Sequence, residues 1–138
     1  MSIVQTQTTS FKAELYEGIH NLLTDTLKIA LYSGNASLNA DTTEYSTANE
    51  IAVSGYTAGG NTLTGVTLNV SGFTAYVNFD NTSWNAALTA RCALIYNATK
   101  GNKSIAVVDF GADKTSTTTF LINMPANTAT SALIRSSN

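Results

Sequence analysis

The sequence predicts a mainly β protein, an antiparallel β-sandwich of the immunoglobulin-like or jelly-roll-like kind, with one short N-terminal helix. Three observations predict it. Segments between Thr26 and Ser137 alternate apolar and polar side chains with a period of two. Gly, Asn, Asp and Ser punctuate those segments where a chain would turn. Helical spacing of apolar residues persists over several turns only in "FKAELYEGIHNLL", Phe11–Leu23.

That first element places Phe11, Leu15, Ile19 and Leu22 or Leu23 on one face, with Ser10 positioned to cap it. Glu14 and Glu17 fall in its first two turns, where the helix dipole favours negative charge. Gly18 in the interior costs about 1 kcal/mol against Ala, so the helix is expected to depend on packing.

The strands follow in order. "TLKIALYS" sets Leu27, Ile29 and Leu31 on one face. "GVTLNVSG" does the same with Val66, Leu68 and Val70, and "FTAYVNFD" with Phe73, Ala75, Val77 and Phe79. "TARCALIYN" aligns Ala90, Cys92, Leu94 and Tyr96, and "SIAVVDFG" is almost continuously apolar, as a central strand would be. "TSTTTFLINMP" aligns Thr118, Phe120, Ile122 and Met124, and "SALIRSS" closes the chain. Between Ser33 and Thr57 lies a long polar loop, whose "TTEYSTANE" carries Tyr45, Ala48 and Asn49 at helical spacing. The expected organisation is an arm over residues 1–10 and a single domain over 11–138.

The 138 residues suffice for one core. Their 14.5 kDa corresponds to a folded surface of about 6,900 Å² against about 21,000 Å² extended. Charged residues make up 12% of the chain, about half the usual share, and the net charge is -2. Without a basic patch to neutralise phosphates, nucleic acid is not an expected partner. No apolar run is long enough to span a bilayer, so no membrane partner is expected either. "MSIVQTQTTS" lacks a basic region followed by an apolar one, so no secretory signal is expected. One cysteine, Cys92, excludes an internal disulfide framework and fits a reducing compartment.

"GYTAGGNTLTG", Gly55–Gly65, has the look of a phosphate loop without its machinery. A P-loop ends in Lys-Ser/Thr and opens a helix; here Gly65 leads into the strand "VTLNV" and the next lysine is Lys100. The glycines are read as turn residues supplying positive φ.

The order of motifs carries a resemblance. "FKAELYEGIHN", "DTLKIALY", "YSTANE", "SGYTAGGNTLT", "FDNTSW", "ARCALIYN" and "VVDFGADKTS" stand in sequence from Phe11 to Ser116. In these the chain resembles a family of small virion structural proteins of tailed bacteriophages. Cys92 departs from the pattern, where a small residue such as Gly is common, as does the extended start before Phe11. The resemblance implies a β-rich protein of the virus particle, without known catalysis.

Candidate reactive groups have simpler roles. His20 is the single histidine, so no paired-histidine metal spacing exists. A dipole contact or surface hydrogen bond is expected of it, and its place in the family motif implies helix-to-sandwich packing. Asp80 and Asp109 sit near strand ends, where turn and cap roles outweigh an acid–base pair. Asp41, Glu44 and Glu50 match no calcium-loop spacing, and "DFG" at Asp109–Gly111 is read as a strand end and turn. Trp84 is assigned to the core in preference to a sugar-stacking platform with Tyr56, Tyr76 and Tyr96. Cys92 is read as a buried small hydrophobe. No catalytic, cofactor or metal residue is expected.

The expected function is structural: a non-enzymatic capsid decoration protein on the outer face of the head lattice, made in the bacterial cytoplasm and residing in the virion. The major capsid protein lattice is the expected partner, with self-association, a trimer favoured, to cover sheet edges. Ile3, Val4, Gln5 and Thr6 are the candidate attachment arm. Tyr45, Asn49, Glu50 and Tyr56 are the candidate exposed interaction loop. The alternative is a tail or fibre-associated adsorption module that binds host glycan.

Overall fold

The period-two segments pair antiparallel, as their alternation demands, into three sheets in a computed structural model that describes residues 3–137. The elements are β1 (Thr6–Gln7), α1 (Thr9–Tyr16), β2 (Leu27–Tyr32), β3 (Asn61–Thr62), β4 (Thr67–Ser71) and β5 (Thr74–Asn78). They continue with β6 (Thr82–Trp84), β7 (Thr89–Asn97), β8 (Lys103–Thr115), β9 (Phe120–Ile122) and β10 (Ile134–Ser136). A five-stranded sheet runs β1-β8-β7-β2-β3, a three-stranded one β10-β5-β4, and β6 pairs with β9. The mainly β fold with one short helix agrees with expectation. The folded surface of 7000 Å² is close to the value that scaling gives.

The main core lies between the five-stranded sheet and the two smaller ones. Leu27, Ile29 and Leu31 of β2 and Ile95 of β7 meet Val77, Trp84, Phe120 and Ile134 across it. The opposite face of the large sheet is buried as well. Ala30, Tyr32, Cys92, Leu94, Tyr96 and Val107 pack there against Ala36 and Leu38 of the long loop, with Ile3 at its margin. The loop and the arm thus form a third layer, which is why β2 and β7 are buried on both faces.

Several boundaries differ from expectation. The helix begins earlier, capped by Thr8, whose Oγ1 accepts the Phe11 N–H, and not by Ser10. It stops at Tyr16, well short of Leu23. Gly18 takes φ +72°, its N–H bonds the Leu15 carbonyl and the Ile19 N–H bonds the Glu14 carbonyl. That is a Schellman stop, so Gly18 terminates the helix and does not weaken its interior. No acidic residue lies in the first turn, and Glu14 stands near the C-terminal end.

"TTEYSTANE" forms turns and an isolated bridge from Glu44 to Lys103, not a helical turn. β8 runs through "DFG" to Thr115 without the expected stop, because β7 pairs with it that far, Thr89 opposite Thr115. The strand expected over Thr115–Pro125 shrinks to β9, where only β6 offers three residues of pairing.

Candidate functional site

The long loop is held by one carboxylate. Glu50 Oε1 accepts a hydrogen bond from the Tyr45 hydroxyl (2.6 Å). Its Oε2 accepts from the Tyr56 hydroxyl (2.5 Å) and from the Gly59 N–H (2.8 Å). Tyr56 Oη in turn accepts the Leu31 N–H of β2 (2.9 Å), and the Tyr96 hydroxyl of β7 donates to the Gly59 carbonyl (2.6 Å). Tyr45 stacks on Tyr96 with ring centroids 4.6 Å apart. Tyr32 donates to the Ser46 carbonyl (2.7 Å). Loop residues also extend the β2 ladder, with Ser33 N–H on the Asn49 carbonyl and Ile51 N–H on the Leu31 carbonyl.

This geometry makes the phenols poor acids. Burial, then the Glu50 carboxylate, drives Tyr32, Tyr45 and Tyr56 well above the ordinary tyrosine value, and Tyr96 to about 12 by the same two causes. The candidate exposed loop is therefore corrected. Tyr56 is buried at 8%, Tyr45 and Glu50 are half-buried, and only Asn49 is exposed, in a left-handed turn at φ +64°. The side chains that looked available for a partner are occupied in fastening the loop to its own sheet.

The glycines of "GYTAGGNTLTG" do the same on the backbone side. Gly60 lies against β2 so closely that a Cβ there would overlap the Ile29 carbonyl, at φ +79°. Close approach and positive φ, not phosphate binding, account for glycine at this position.

The candidate arm is likewise bound to its own chain. Ile3 bridges Leu38 in parallel, and the Val4 N–H bonds the Leu38 carbonyl (3.0 Å). Gln5 Oε1 accepts the Asp109 N–H, and Thr6 and Gln7 pair with Val107 and Ala106 of β8. Residues 3–7 are thus tied down, Ile3 and Val4 to the long loop and Thr6 and Gln7 as an edge of the large sheet, and are not a free extension; Met1 and Ser2 of the expected arm lie outside the described residues.

His20 is not on the surface. Its side chain is fully enclosed; Nε2 is 2.8 Å from Glu14 Oε1, and Nδ1 is 3.0 Å from Asn97 Nδ2. Asn97 Oδ1 already accepts the Thr99 and Lys100 N–H groups, so its amide nitrogen donates to His20 Nδ1 and to Asp25 Oδ2. Hence His20 Nε2–H donates to Glu14. Tilted against Phe11 at 5.1 Å, the ring joins the helix end to β7, a packing role. Burial alone would raise the Asp25 carboxyl. The Asn97 amide, the Asn21 N–H and Lys100 Nζ at 3.0 Å outweigh it and hold the group at about 2.

Asp80 and Asp109 have separate local duties. The Asp80 carboxylate lies over Gly65, and its N–H bonds the Thr64 carbonyl. Asp109 Oδ1 accepts the Gly111 N–H (2.8 Å) and Arg91 Nε (3.1 Å), which hold its carboxyl below the usual range in that order. Glu50 is committed to the tyrosines, and among the described residues no three His, Cys, Asp or Glu side chains converge as metal ligands would. Trp84 is 4% exposed and edge-on to Phe120, a core residue. Cys92 is fully buried, and burial raises its thiol to about 11. No helix among the described residues is long and apolar enough to cross a membrane.

Two surface features escaped the sequence reading. A cavity of about 490 Å³ opens beside the loop, lined by Tyr32, Asn39, Asp41, Glu44, Ser46 and Asn49 among others. A larger groove of about 980 Å³ separates α1 and the turn after it from the three-stranded sheet, with Phe11, Leu15, Leu23, Leu68, Val77 and Ile134 on its walls. Beside it Val70 is 74% exposed, and Phe73, at the tip of the β4–β5 hairpin, is 89% exposed. The alternation in "GVTLNVSG" marks the right apolar face, but that face is largely uncovered. No family model, curated protein or solved structure matches this chain.

Proposed function

We propose that the chain is a non-enzymatic structural protein of a tailed-bacteriophage virion, a capsid decoration protein that binds the outer face of the head lattice. One observation carries the reading beyond the motif resemblance over Phe11–Ser116. Glu50 is occupied by three donors and His20 by two partners within the chain, while Val70, Phe73 and Tyr16 leave a large apolar contact area exposed. Contact area without a reactive cleft suits a ligand that binds only the assembled shell and thereby stabilises it. The low charge density leaves such a contact little salt-dependent.

The polar cavity beside Asp41 and Glu44 favours a second reading, a tail or fibre-associated module that binds host glycan. Copy number separates the two. Purified protein added to particles lacking it, followed by cryo-electron microscopy, is expected to show hundreds of copies in register with the head lattice. A handful of copies at the tail, or none on the head, refutes the decoration role.

A further inference from the structure

We propose that β4 is a self-association strand, two copies of this chain pairing their β4 edges antiparallel about a twofold axis through Asn69. β4 ends the three-stranded sheet, with β5 on one side and, among the described residues, no strand on the other. Its five residues, "TLNVS", are all exposed, and they contain no charge, no proline and no register shift against β5. Edges meant to stay single are blunted by such devices. The other terminal strands, β1, β3, β10, β6 and β9, are two or three residues long, and the stretch of β8 that β1 leaves uncovered, residues 108–115, is blunted by the charges of Asp109, Asp113 and Lys114.

The hydrogen-bonding phase fits the same pairing. β4 and β5 join through the two-residue turn Gly72–Phe73, so Ser71 and Thr74 form the closing hydrogen-bonded pair. Alternation then turns Asn69 and Thr67 towards β5 and points the N–H and C=O groups of Leu68 and Val70 at the open edge. With the axis at Asn69, Leu68 of each copy stands opposite Val70 of the other. Each such pair exchanges two hydrogen bonds and sits on one face. The apolar rows thus align into one continuous face, and the two Asn69 side chains meet on the polar one.

The occupant is a second copy because the edge is complementary to itself. A three-fold ring, the arrangement expected from the sequence, would need β4 to meet a different edge. The charge-free strand gives a charged partner nothing to recognise. Apolar area surrounds this edge: Tyr16 at 95% and Phe73 at 89% expose on the order of 400 Å² between them. Leu15, Leu23, Leu68 and Val70 carry this end of the molecule towards the roughly 800 Å² that each partner of a standard interface buries. The pairing stands whether or not the chain decorates a capsid.

Sedimentation equilibrium of the full chain tests it, together with oxidative cross-linking of Asn69→Cys, whose Cα atoms would lie about 4.5 Å apart, within disulfide reach. The native chain is expected to be dimeric at micromolar concentration, and Val70→Lys to weaken association by about 100-fold or more. Val70 is exposed, so the variant keeps its fold, which circular dichroism verifies. Asn69→Cys is expected to form a covalent dimer far faster than a control cysteine at exposed Asn35, and Asn69→Cys/Val70→Lys to lose that advantage. Buried Cys92 does not compete. A monomeric or trimeric native chain, or cross-linking at Asn69 no faster than at Asn35, overturns the proposal.

Discussion

Replacing Glu50 by Ala removes the acceptor on which three donors converge, the Tyr45 and Tyr56 hydroxyls and the Gly59 N–H. Tyr56 and Gly59 are buried and find no water, and each orphaned donor costs about 1.5 kcal/mol; the half-exposed Tyr45 turns to solvent. The expected loss is about 3 kcal/mol, or roughly 10 °C in Tm for a domain of this size. Glu50→Gln keeps one oxygen for Tyr56 and Gly59 and offers an amide to Tyr45, whose hydroxyl can accept, so about 1 kcal/mol is lost. Urea denaturation measures both, with the midpoint moving by about 1.5 M for the Ala variant. Hydrogen exchange locates the damage: the Ser33, Ile51 and Gly59 amides lose protection well before those of the β7–β8 ladder. If Glu50→Ala stays within about 0.5 kcal/mol of the native protein, the carboxylate does not hold the loop and the reasoning fails.

The same network sets an alkaline limit. Tyr32, Tyr45, Tyr56 and Tyr96 are all raised above their unfolded value of 10.0, so their stabilisation is intact below that pH and is lost as pH rises through the folded values. Titration at 295 nm should show these phenols ionising together with unfolding; ionisation in the intact fold would contradict it. At the acid end the sign reverses. Asp25, lowered from 3.8 to about 2, contributes stability above its unfolded value that vanishes as pH falls through that range. Because Lys100 is a third exposed and partly screened, Asp25→Asn should cost on the order of 1 kcal/mol at neutral pH and flatten the acid limb of the stability curve. Gly60→Ala should prevent folding or cost more than about 3 kcal/mol by clash with the Ile29 carbonyl, whereas Gly101→Ala, with open space around it, should cost about 1 kcal/mol. Soluble expression and thermal melts distinguish them. Cys92 should react with a thiol reagent only at the rate of unfolding, and rapid labelling of the native chain would place it outside the core.

Local chemistry determined much of this protein in advance. Alternation in "TLKIALYS" fixed which residues share a face, because a strand has no other period, and the class of fold followed. In "TARCALIYN" it held only in part: a bulge between Ala90 and Cys92 turns Ala90 to the main core with Ala93 and Ile95, while Cys92, Leu94 and Tyr96 face the loop layer. The Schellman stop at Gly18 was also local, although helical spacing up to Leu22 hid it. Tertiary structure alone decided which faces are covered. Leu31 and Val70 lie in similar alternating runs, yet the first is fully buried and the second is 74% exposed, since burial depends on what the rest of the chain lays across a face. The loop from Ser33 to Thr57 appeared polar and available. It became a layer because Glu50 meets Tyr45, Tyr56 and Gly59, while Tyr96, distant in sequence, fastens Gly59 to β7. Contacts across such separations leave no periodic trace, for they depend on where the sheet brings the backbone and not on the residues beside each partner in the chain.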